Sequence, residues 1–206
     1  MLEFVQETTK EKVYQTAKIS FQKSSYTLKC VPNDSDHRKT FVASSREFIG
    51  QCCRLTETDK LIFLYNSEEI VIGIASYKLA RTIETELLGV PELMKTESKK
   101  QKSEFLDPKS NHIIRYIMLK SAYRKTKMLG KLLLIFMEIQ MKIEVGGRNF
   151  PIRLECVPRA ISFFEKNNFN PFRDQPGWST PLLGKFRKIG IRILENWPRI
   201  LGQILD

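Results

Sequence analysis

The chain has 206 residues, of which 42% are hydrophobic and 28% are charged, and its formal net charge is +11. This composition is ordinary for one compact α/β domain that is long enough to bury a core. The positive charge favours a polyanionic partner, namely nucleic acid, an acidic membrane surface or a phosphate-bearing cofactor, although a solvated basic surface would carry the same charge.

Cysteine usage and hydropathy predict an intracellular protein. The four cysteines form no C-x-x-C pair and have no histidine at metal-ligand spacing, so we expect reduced thiols and no bound metal. The segment MLEFVQETTKEK lacks the apolar region of a signal peptide, and the longest apolar run, residues 128–137, is too short to cross a membrane. We therefore expect a cytoplasmic protein with no transmembrane segment.

The first sixty residues predict strands and one helix. Residues 13–21 alternate partly, which indicates a strand or an N-terminal extension. Residues 26–31 predict a clearer strand that ends at the turn-rich segment 32–36, because a residue that precedes proline disfavours the helical conformation. Ser44 or Ser45 is a plausible N-cap for a helix over residues 46–55, where apolar residues recur at helical spacing.

A hairpin is predicted next. Residues 61–65 and 70–77 are rich in β-branched and aromatic side chains, and they flank the polar loop 66–69. Residues 84–94 are ambiguous. Residues 96–109 are charged and nearly devoid of core residues, which predicts an exposed loop.

From residue 111 onward the pattern is strand, helix, strand, helix. Residues 113–119 predict a buried strand, residues 128–142 a helix that is apolar almost all the way round, and residues 152–157 the next strand. Pro158 suits the first turn of a helix over residues 159–166. Short links between these elements imply a parallel strand pair with a right-handed crossover, and the preceding hairpin makes the sheet mixed.

The C-terminal part predicts an edge strand near residues 178–183 and then a basic tail. Apolar residues in 185–205 recur at a largely helical spacing that Gly190 and Pro198 interrupt. Such a tail could touch a membrane or a partner, but packing back onto the sheet is more common. We therefore expect a single domain over residues 1–206, with its core at 26–183 and an amphipathic tail at 184–206.

The turn before the apolar helix carries a cluster of positive charge. Arg124, Lys125 and Lys127 lie where the helix dipole is positive, an arrangement that costs stability unless an anion binds there. Backbone N–H groups at a helix N-terminus, surrounded by cationic side chains, are a common way for proteins to hold phosphate. The alternative is a solvated turn whose side chains extend into water.

The order of these elements resembles the GNAT superfamily of N-acetyltransferases, from about residue 41 to residue 172. The stretch KTKMLG, residues 125–130, stands where that family has its acetyl-CoA motif, Arg/Gln-x-x-Gly-x-Gly/Ala, at a helix start. The stretch FFEKNNF, residues 163–169, is similar to the family phrase Phe-Tyr-Glu-Lys-x-Gly-Phe. The hairpin, with Gly73 in its second strand, looks like the family's central hairpin.

The resemblance implies an α/β fold, with a central mixed α+β sheet flanked by helices, and acetyl-CoA as co-substrate. Three positions depart from the family pattern. Met128 replaces the first motif glycine, and Phe164 replaces a tyrosine that resembles a general acid. Asn168 replaces a glycine, which asparagine can do because it tolerates the left-handed conformation. Cofactor contacts are expected from Met118, Leu119, Arg124, Lys125, Lys127, Met128, Leu129, Gly130, Lys131 and Phe164.

Acetyl transfer to an amine also needs a base and a donor for the carbonyl oxygen. A backbone N–H near Met118 or Leu119 could be that donor. The candidate bases are Glu155, Tyr116 and His112. Each has a structural alternative, respectively a solvent-facing or ion-paired strand residue, a core residue and a surface loop residue.

Three functions remain open at this point. The first is an acetyl-CoA-dependent N-acetyltransferase that acts on a primary amine of a small molecule, a peptide or protein, or an aminoacyl-tRNA. The second is a catalytically degenerate member of the same fold that binds CoA or a partner, which Met128 and Phe164 favour. The third is a basic nucleic-acid-binding protein, supported weakly by residues 99–102 and the tail. RNA or another polyanion and a homodimer are further partners that stay open.

Overall fold

A computed structural model describes residues 2–9, 12–21, 24–79, 112–144, 151–171 and 188–193. The described residues fall into two compact units. The first contains residues 2–78 and 116–144, and the second contains Leu79, residues 112–115, 151–171 and 188–193. The number of domains stays a prediction, as do the elements expected at 84–94, 96–109 and 178–183, which lie outside the described residues.

An antiparallel sheet forms most of the first unit. Its strands lie side by side in chain order, from β1 to β5, and the second half of β6 follows β5. Of the two alternatives for residues 13–21, a strand or an N-terminal extension, the structure shows the strand. The predicted strand at 26–31 and the hairpin at 61–77 are also confirmed. The strands are β1 (Leu2–Thr9), β2 (Lys12–Phe21), β3 (Ser24–Val31), β4 (Lys60–Tyr65), β5 (Val71–Leu79) and β6 (His112–Leu119).

Helix α1 (Ser35–Ile49) begins and ends earlier than the sequence predicted. The side chain of Asp34 caps it by accepting from the backbone N–H groups of Asp36 (3.1 Å) and His37 (2.9 Å). Gly50, with φ 72°, ends it in the left-handed conformation and donates its N–H to Arg46 O. Ser44 and Ser45 are buried inside the helix, so the prediction that one of them is the N-cap is wrong. The segment 32–36, predicted as a turn, contains the true N-cap, Asp34.

The two faces of this sheet carry different helices. Because side chains alternate along a strand, Leu61 and Phe63 point to the face opposite that of Lys60. The face that carries Leu61 and Phe63 packs with Phe41 and Phe48 of α1 in one apolar cluster. The other face meets helix α2 (Lys127–Glu144), which packs against β3 and β4 and whose last residue pairs with Lys60.

Helix α2 is buried almost all the way round, as predicted from its composition. The buried set also contains the polar residues Glu138, Gln140 and Lys142. No helix in the described ranges is long and apolar enough to cross a membrane. The buried apolar residues of α2 are Leu129, Leu132, Leu133, Leu134, Ile135, Phe136, Met137, Ile139 and Met141.

The β4–β5 hairpin closes through Asn66, whose side-chain oxygen accepts from the N–H groups of Glu68 (3.1 Å) and Ile70 (2.9 Å). The pairing shifts register between Leu64 and Tyr65. Gly73 lies opposite Leu64, and a Cβ atom at this glycine would be 2.8 Å from Leu119 Cδ2. A side chain at Gly73 would therefore force the Leu119 side chain of β6 to shift, and no left-handed backbone angle at this position calls for glycine.

The second unit contains the parallel pair predicted from the strand, helix, strand order. The first half of β6 pairs in parallel with β7 (Pro151–Cys156), which confirms a mixed sheet. A short 3₁₀ turn (Pro158–Ala160) leads into α3 (Ile161–Lys166). The strand order is β6, β7, β9 (Lys188–Ile193) and β8 (Asn170–Pro171).

Strand β9 contradicts the helical spacing predicted for the tail over residues 188–193. These residues read Lys-Ile-Gly-Ile-Arg-Ile, a strict alternation that is typical of a strand. Gly190 does not interrupt the element as predicted, since it pairs with Leu154 of β7 and with Pro171 of β8. The longer helical-looking pattern around it hid this short alternation.

Candidate active site

A tight basic turn, residues 120–126, joins the end of β6 to the start of α2. Its first N–H, from Lys120, donates to Ile72 O at 2.9 Å, which attaches the turn to β5. Inside the turn Tyr123 N–H donates to Lys120 O (2.9 Å) and Thr126 N–H donates to Tyr123 O (3.2 Å). The first N–H groups of an α-helix lack the i−4 carbonyl partners that later ones have, so the start of α2 is electropositive.

Two cations of this turn are engaged with α1. Lys120 Nζ forms an ion pair with Glu47 Oε1 at 2.6 Å. The guanidinium group of Arg124 donates from Nε to Leu119 O (3.0 Å) and from Nη2 to Phe48 O. Both side chains therefore link the turn to the C-terminal end of α1, a role that their sequence positions did not indicate.

Lys125 and Lys131 differ from these two residues. Lys125 is exposed and Lys131 is half-buried. Neither side chain forms a hydrogen bond or an ion pair with any residue in the ranges that the structure describes. Their charge faces solvent beside the positive end of α2, so both remain able to bind an anion.

The other predicted cofactor residues near the turn have unequal exposure. Leu129 has a fully buried side chain, and its N–H donates to Thr126 O at 3.1 Å. Met128 and Gly130 are half-buried, and Met118 packs against the α1-side core. Most of the predicted cofactor residues are neighbours in the chain, from Met118 to Lys131, and their contact with a cofactor stays a prediction. For Lys127 the structure describes only the backbone, which begins α2.

Phe164 lies in the second unit, in a helix ending that explains the FFEKNNF stretch. Phe169 N–H donates to Phe164 O, and Asn168 N–H donates to Glu165 O, both at 3.0 Å. This pair of bonds is a Schellman motif, and Asn168 has the required positive φ of 64°. The predicted left-handed asparagine is thus confirmed.

Two aromatic contacts complete this helix ending. The ring of Phe164 packs edge to face against Phe169, with centroids 5.5 Å apart, and against Phe163 at 5.0 Å. An apolar contact across the Schellman bonds is typical of the motif. Phe164 is buried in this cluster, so its side chain has a structural role whatever else it does.

The candidate bases fall in both units. Tyr116 lies in the first unit, where its hydroxyl donates to Arg54 O at 3.2 Å and its ring lies 6.3 Å from that of Phe41. Glu155 lies in the second unit on β7, opposite Ile189, and its side chain is outside the described part. His112 is fully buried on β6, so its interpretation as a surface loop residue is wrong.

A polar cluster separate from the basic turn lies where β5 meets the end of α2. Tyr77 donates to Glu144 Oε1 at 3.0 Å, and Lys60 Nζ lies 3.8 Å from the same oxygen. Burial, followed by the negative charge of Glu144, raises the pKa of the Cys30 thiol to about 12. Cys30 therefore stays protonated at neutral pH and cannot act as a nucleophile there. Sequence analysis missed this cluster, although the strand alternation places Cys30, Lys60 and Tyr77 on one face.

No group of three His, Cys, Asp or Glu residues within the described ranges could hold a metal ion. The residues that could hold a ligand are instead the cations and N–H groups at the start of α2. That arrangement suits an anion with several oxygens, such as a diphosphate.

Comparison with known proteins gives a likeness in structure only. No protein-family model matches the chain, and no curated protein matches it. FeeM, an N-acyl amino acid synthase from uncultured soil microbes, is 13% identical, and the match covers 89% of this chain and 99% of FeeM with a TM-score of 0.53.

Two further structures match to a similar degree. The ribosomal-protein-S18-alanine N-acetyltransferase from Escherichia coli is 11% identical, with 82% of this chain and 92% of that chain covered and a TM-score of 0.51. A GNAT family acetyltransferase from Listeria monocytogenes 4b F2365 is 13% identical, with 86% and 99% covered and a TM-score of 0.51. The chain therefore has the fold of the GNAT superfamily of N-acetyltransferases.

Proposed function

We propose that the chain is an N-acetyltransferase that uses acetyl-CoA and acts on a primary amine. The observation that carries this proposal is the basic segment at the positive end of α2, where Lys125 and Lys131 have no partner among the residues that the structure describes. In an N-acetyltransferase fold that end of the helix is the place where a diphosphate group would gain most from the chain's own charges.

In this proposal Lys125, Lys127 and Lys131 bind the diphosphate together with N–H groups from the first turn of α2. Lys131 lies one turn into the helix, and helical side chains lean towards the N-terminus, so its ammonium group can extend towards the turn. Met128 stands where a glycine would leave more room, and it is half-buried, which keeps part of its side chain against the protein. Leu129 anchors this start of the helix, since its side chain lies in the core and its N–H donates to Thr126 O.

The chemistry requires the acceptor nitrogen to be neutral before it attacks. When acetyl-CoA is bound, its thioester supplies the acetyl group, a C–N bond forms, the C–S bond breaks and the thiolate is protonated. Glu155 and Tyr116 are the proposed bases for the acceptor ammonium. Phe164 cannot donate a proton, so solvent protonates the thiolate in this proposal. A backbone N–H near Met118 or Leu119 would stabilise the carbonyl oxygen.

Thermal unfolding in the presence of acetyl-CoA tests the binding half of the proposal. Ligand at about a hundred times its Kd should raise the Tm by roughly 5–10 °C for a chain of this size. Gly130→Glu, which places a negative charge at the start of α2, should abolish the rise. Ala43→Glu adds the same charge at an exposed site on α1 and should leave the rise intact. No shift in the wild-type protein at millimolar acetyl-CoA would contradict the proposal.

Mass spectrometry tests the transfer half. The protein is incubated with acetyl-CoA and a pool of small amines, peptides and aminoacyl-tRNA, and products heavier by one acetyl group are sought. Tyr116→Phe and Glu155→Gln should each slow product formation if the residue is the base. The acceptor class would follow from the product.

A second candidate is a protein of this fold that binds CoA without catalysis. It is favoured by Phe164, which stands where the family carries a proton donor and which is buried against Phe163 and Phe169. The thermal-unfolding and mass-spectrometric results together distinguish the enzyme from the binding protein. An acetyl-CoA-dependent rise in Tm together with no acetylated product from the whole pool would favour the binding protein.

A further inference from the structure

We propose that Arg124 is a positioning residue that holds the basic turn against the end of α1 and does not contact the anion itself. For its effect on acetyl-CoA this inference rests on the proposed function. It divides the cations of the turn and of the first helical turn of α2 into two sets. Lys120 and Arg124 contact α1, whereas Lys125 and Lys131 have no partner among the described residues and can bind ligand.

The guanidinium group of Arg124 joins two backbone carbonyls from distant parts of the chain. Nε donates to Leu119 O, the last residue of β6, at 3.0 Å. Nη2 donates to Phe48 O, 76 positions away in the sequence and in the last turn of α1. A planar group with several fixed N–H donors can serve two acceptors at once, which a single ammonium group does poorly.

The end of α1 needs such a donor. The last carbonyls of a helix have no N–H partner within it, and here Gly50 N–H closes only onto Arg46 O at 2.8 Å. The positive charge of Arg124 also complements the negative end of the α1 dipole. The charge that would be unfavourable at the start of α2 is thus balanced by the end of α1.

An ion pair also joins the turn to α1, beside the hydrogen bonds of Arg124. Lys120 pairs with Glu47 at 2.6 Å, but their side chains are 36% and 55% exposed. Ion pairs at such positions contribute little because solvent screens them. Arg124 is exposed as well, but its bond to Phe48 O is part-buried and its guanidinium group bonds both segments, so it is the more specific contact between the turn and α1.

Because Arg124 holds both segments, we expect the turn to be preorganised in the free protein. Preorganised sites bind more tightly because less conformational entropy is lost on binding. Removing the tie should weaken acetyl-CoA binding without removing a charge contact. Such a loss should leave the salt dependence of the affinity unchanged, whereas loss of a direct phosphate contact should reduce it.

Three variants test this assignment. Arg124→Lys keeps the charge but cannot bridge the two carbonyls, Arg124→Gln removes the charge as well, and Lys125→Gln removes an uncommitted charge from the same turn. Hydrogen exchange of the free protein is measured first. In Arg124→Lys, exchange should become faster in residues 46–50 and 119–126 together, and Lys125→Gln should match the wild type in both segments.

Acetyl-CoA affinity at low and high salt is measured second. Arg124→Lys should lose about tenfold in affinity, as expected for a change near 1.4 kcal/mol, with the salt dependence of the wild type, and Arg124→Gln should lose at least as much. Lys125→Gln should lose affinity with a smaller salt dependence. Circular dichroism and thermal unfolding identify any variant that does not fold, and the conservative Arg124→Lys then decides.

Two outcomes would overturn the proposal. The first is wild-type exchange and affinity in Arg124→Lys together with a weakened Arg124→Gln, because charge alone would then suffice. The second is faster exchange in only one of the two segments, because Arg124 would then not join them. If the wild-type protein binds no acetyl-CoA, the proposed function fails, and the exchange measurement still decides whether Arg124 ties the turn to α1.

Discussion

The hydroxyl of Tyr77 donates a hydrogen bond of 3.0 Å to Oε1 of Glu144, which joins the middle of the first-unit sheet to the last residue of α2. Tyr77 is almost completely buried, and Glu144 also pairs with Lys60 at 3.8 Å. Burial, together with the charge of Glu144, raises the pKa of Tyr77 well above its ordinary value. The neutral phenol is therefore the form that the fold selects.

Loss of this hydroxyl should destabilise the protein. Tyr77→Phe removes the donor and leaves Glu144 with Lys60, so we expect a loss of about 1–2 kcal/mol in the free energy of unfolding. Urea unfolding at neutral pH measures it. Tyr26→Phe is the matched control, because Tyr26 is also buried and its hydroxyl has no hydrogen bond among the described residues. Equal losses in both variants would contradict a role for the bond.

Alkaline pH should destabilise the protein through Cys30. The thiol pKa rises from 9.0 to about 12 on folding, so the unfolded chain releases this proton first. The stabilising contribution is therefore complete below about pH 9 and is lost as the pH rises towards 12. Urea unfolding between pH 8 and 11 should show a smaller decline for Cys30→Ala than for the wild type. Cys52→Ala, at an exposed cysteine, should leave the decline unchanged.

Asp34 should stabilise the start of α1. Asp34→Ala removes the acceptor for two backbone N–H groups and should lower the Tm by a few degrees, whereas Asp34→Asn should keep most of the stability because asparagine also caps helices. Ser44→Ala is the control, since that hydroxyl forms no hydrogen bond in the described part of the chain. A larger effect from Ser44→Ala than from Asp34→Ala would overturn this assignment.

The cap should also give a pH dependence. The backbone N–H of His37, followed by its side chain, lowers the pKa of Asp34 below its ordinary value of 3.8. Because the folded pKa is the lower one, this contribution is present above pH 3.8 and is lost as the pH falls through the folded pKa. Thermal unfolding between pH 2 and 5 should therefore show a shallower acid decline for Asp34→Asn than for the wild type.

A side chain at Gly73 should destabilise the protein, because the Leu119 side chain must shift to admit it. The Cβ of Gly73→Ala would be 2.8 Å from Leu119 Cδ2 and 3.2 Å from Leu64 Cβ, so we expect a loss of about 1–3 kcal/mol. Chemical denaturation measures this loss. In a Leu119→Ala background the same change should cost clearly less, because the nearest atom is gone. Identical costs in the two backgrounds would show that the contact with Leu119 is not the cause.

Asn168 should behave as a helix-ending residue and not as a site residue. Its φ of 64° predicts that Asn168→Gly keeps or improves stability, whereas Asn168→Ala loses about 1 kcal/mol. Ser162→Ala, on the exposed side of α3, serves as the control. Thermal unfolding decides, and a stable Asn168→Ala variant would be the contrary result.

Local patterns in the sequence were enough for much of the fold. The alternation at 61–77, the apolar run that became α2 and the FFEKNNF ending with its left-handed asparagine were all predicted. These features depend on hydrogen bonds and side-chain contacts between residues a few positions apart. The start of α1 was predicted too late in the chain, because Asp34 and the two serines are equally good N-caps by residue type. Only the packing of Phe41 against the sheet selects the earlier start.

The site divides in the same way. The sequence by itself determined where the cations lie, namely beside the start of an apolar helix, and hence where an anion would bind. Only the tertiary structure decided which cations are free, because Arg124 is bonded to Phe48 O from another helix and Lys120 to Glu47. The burial of His112 and the pairing of β9 with β7 were decided there too. The reason is that partners far apart in the chain leave no periodic trace in either segment, since each bond depends on how the folded backbone brings them together.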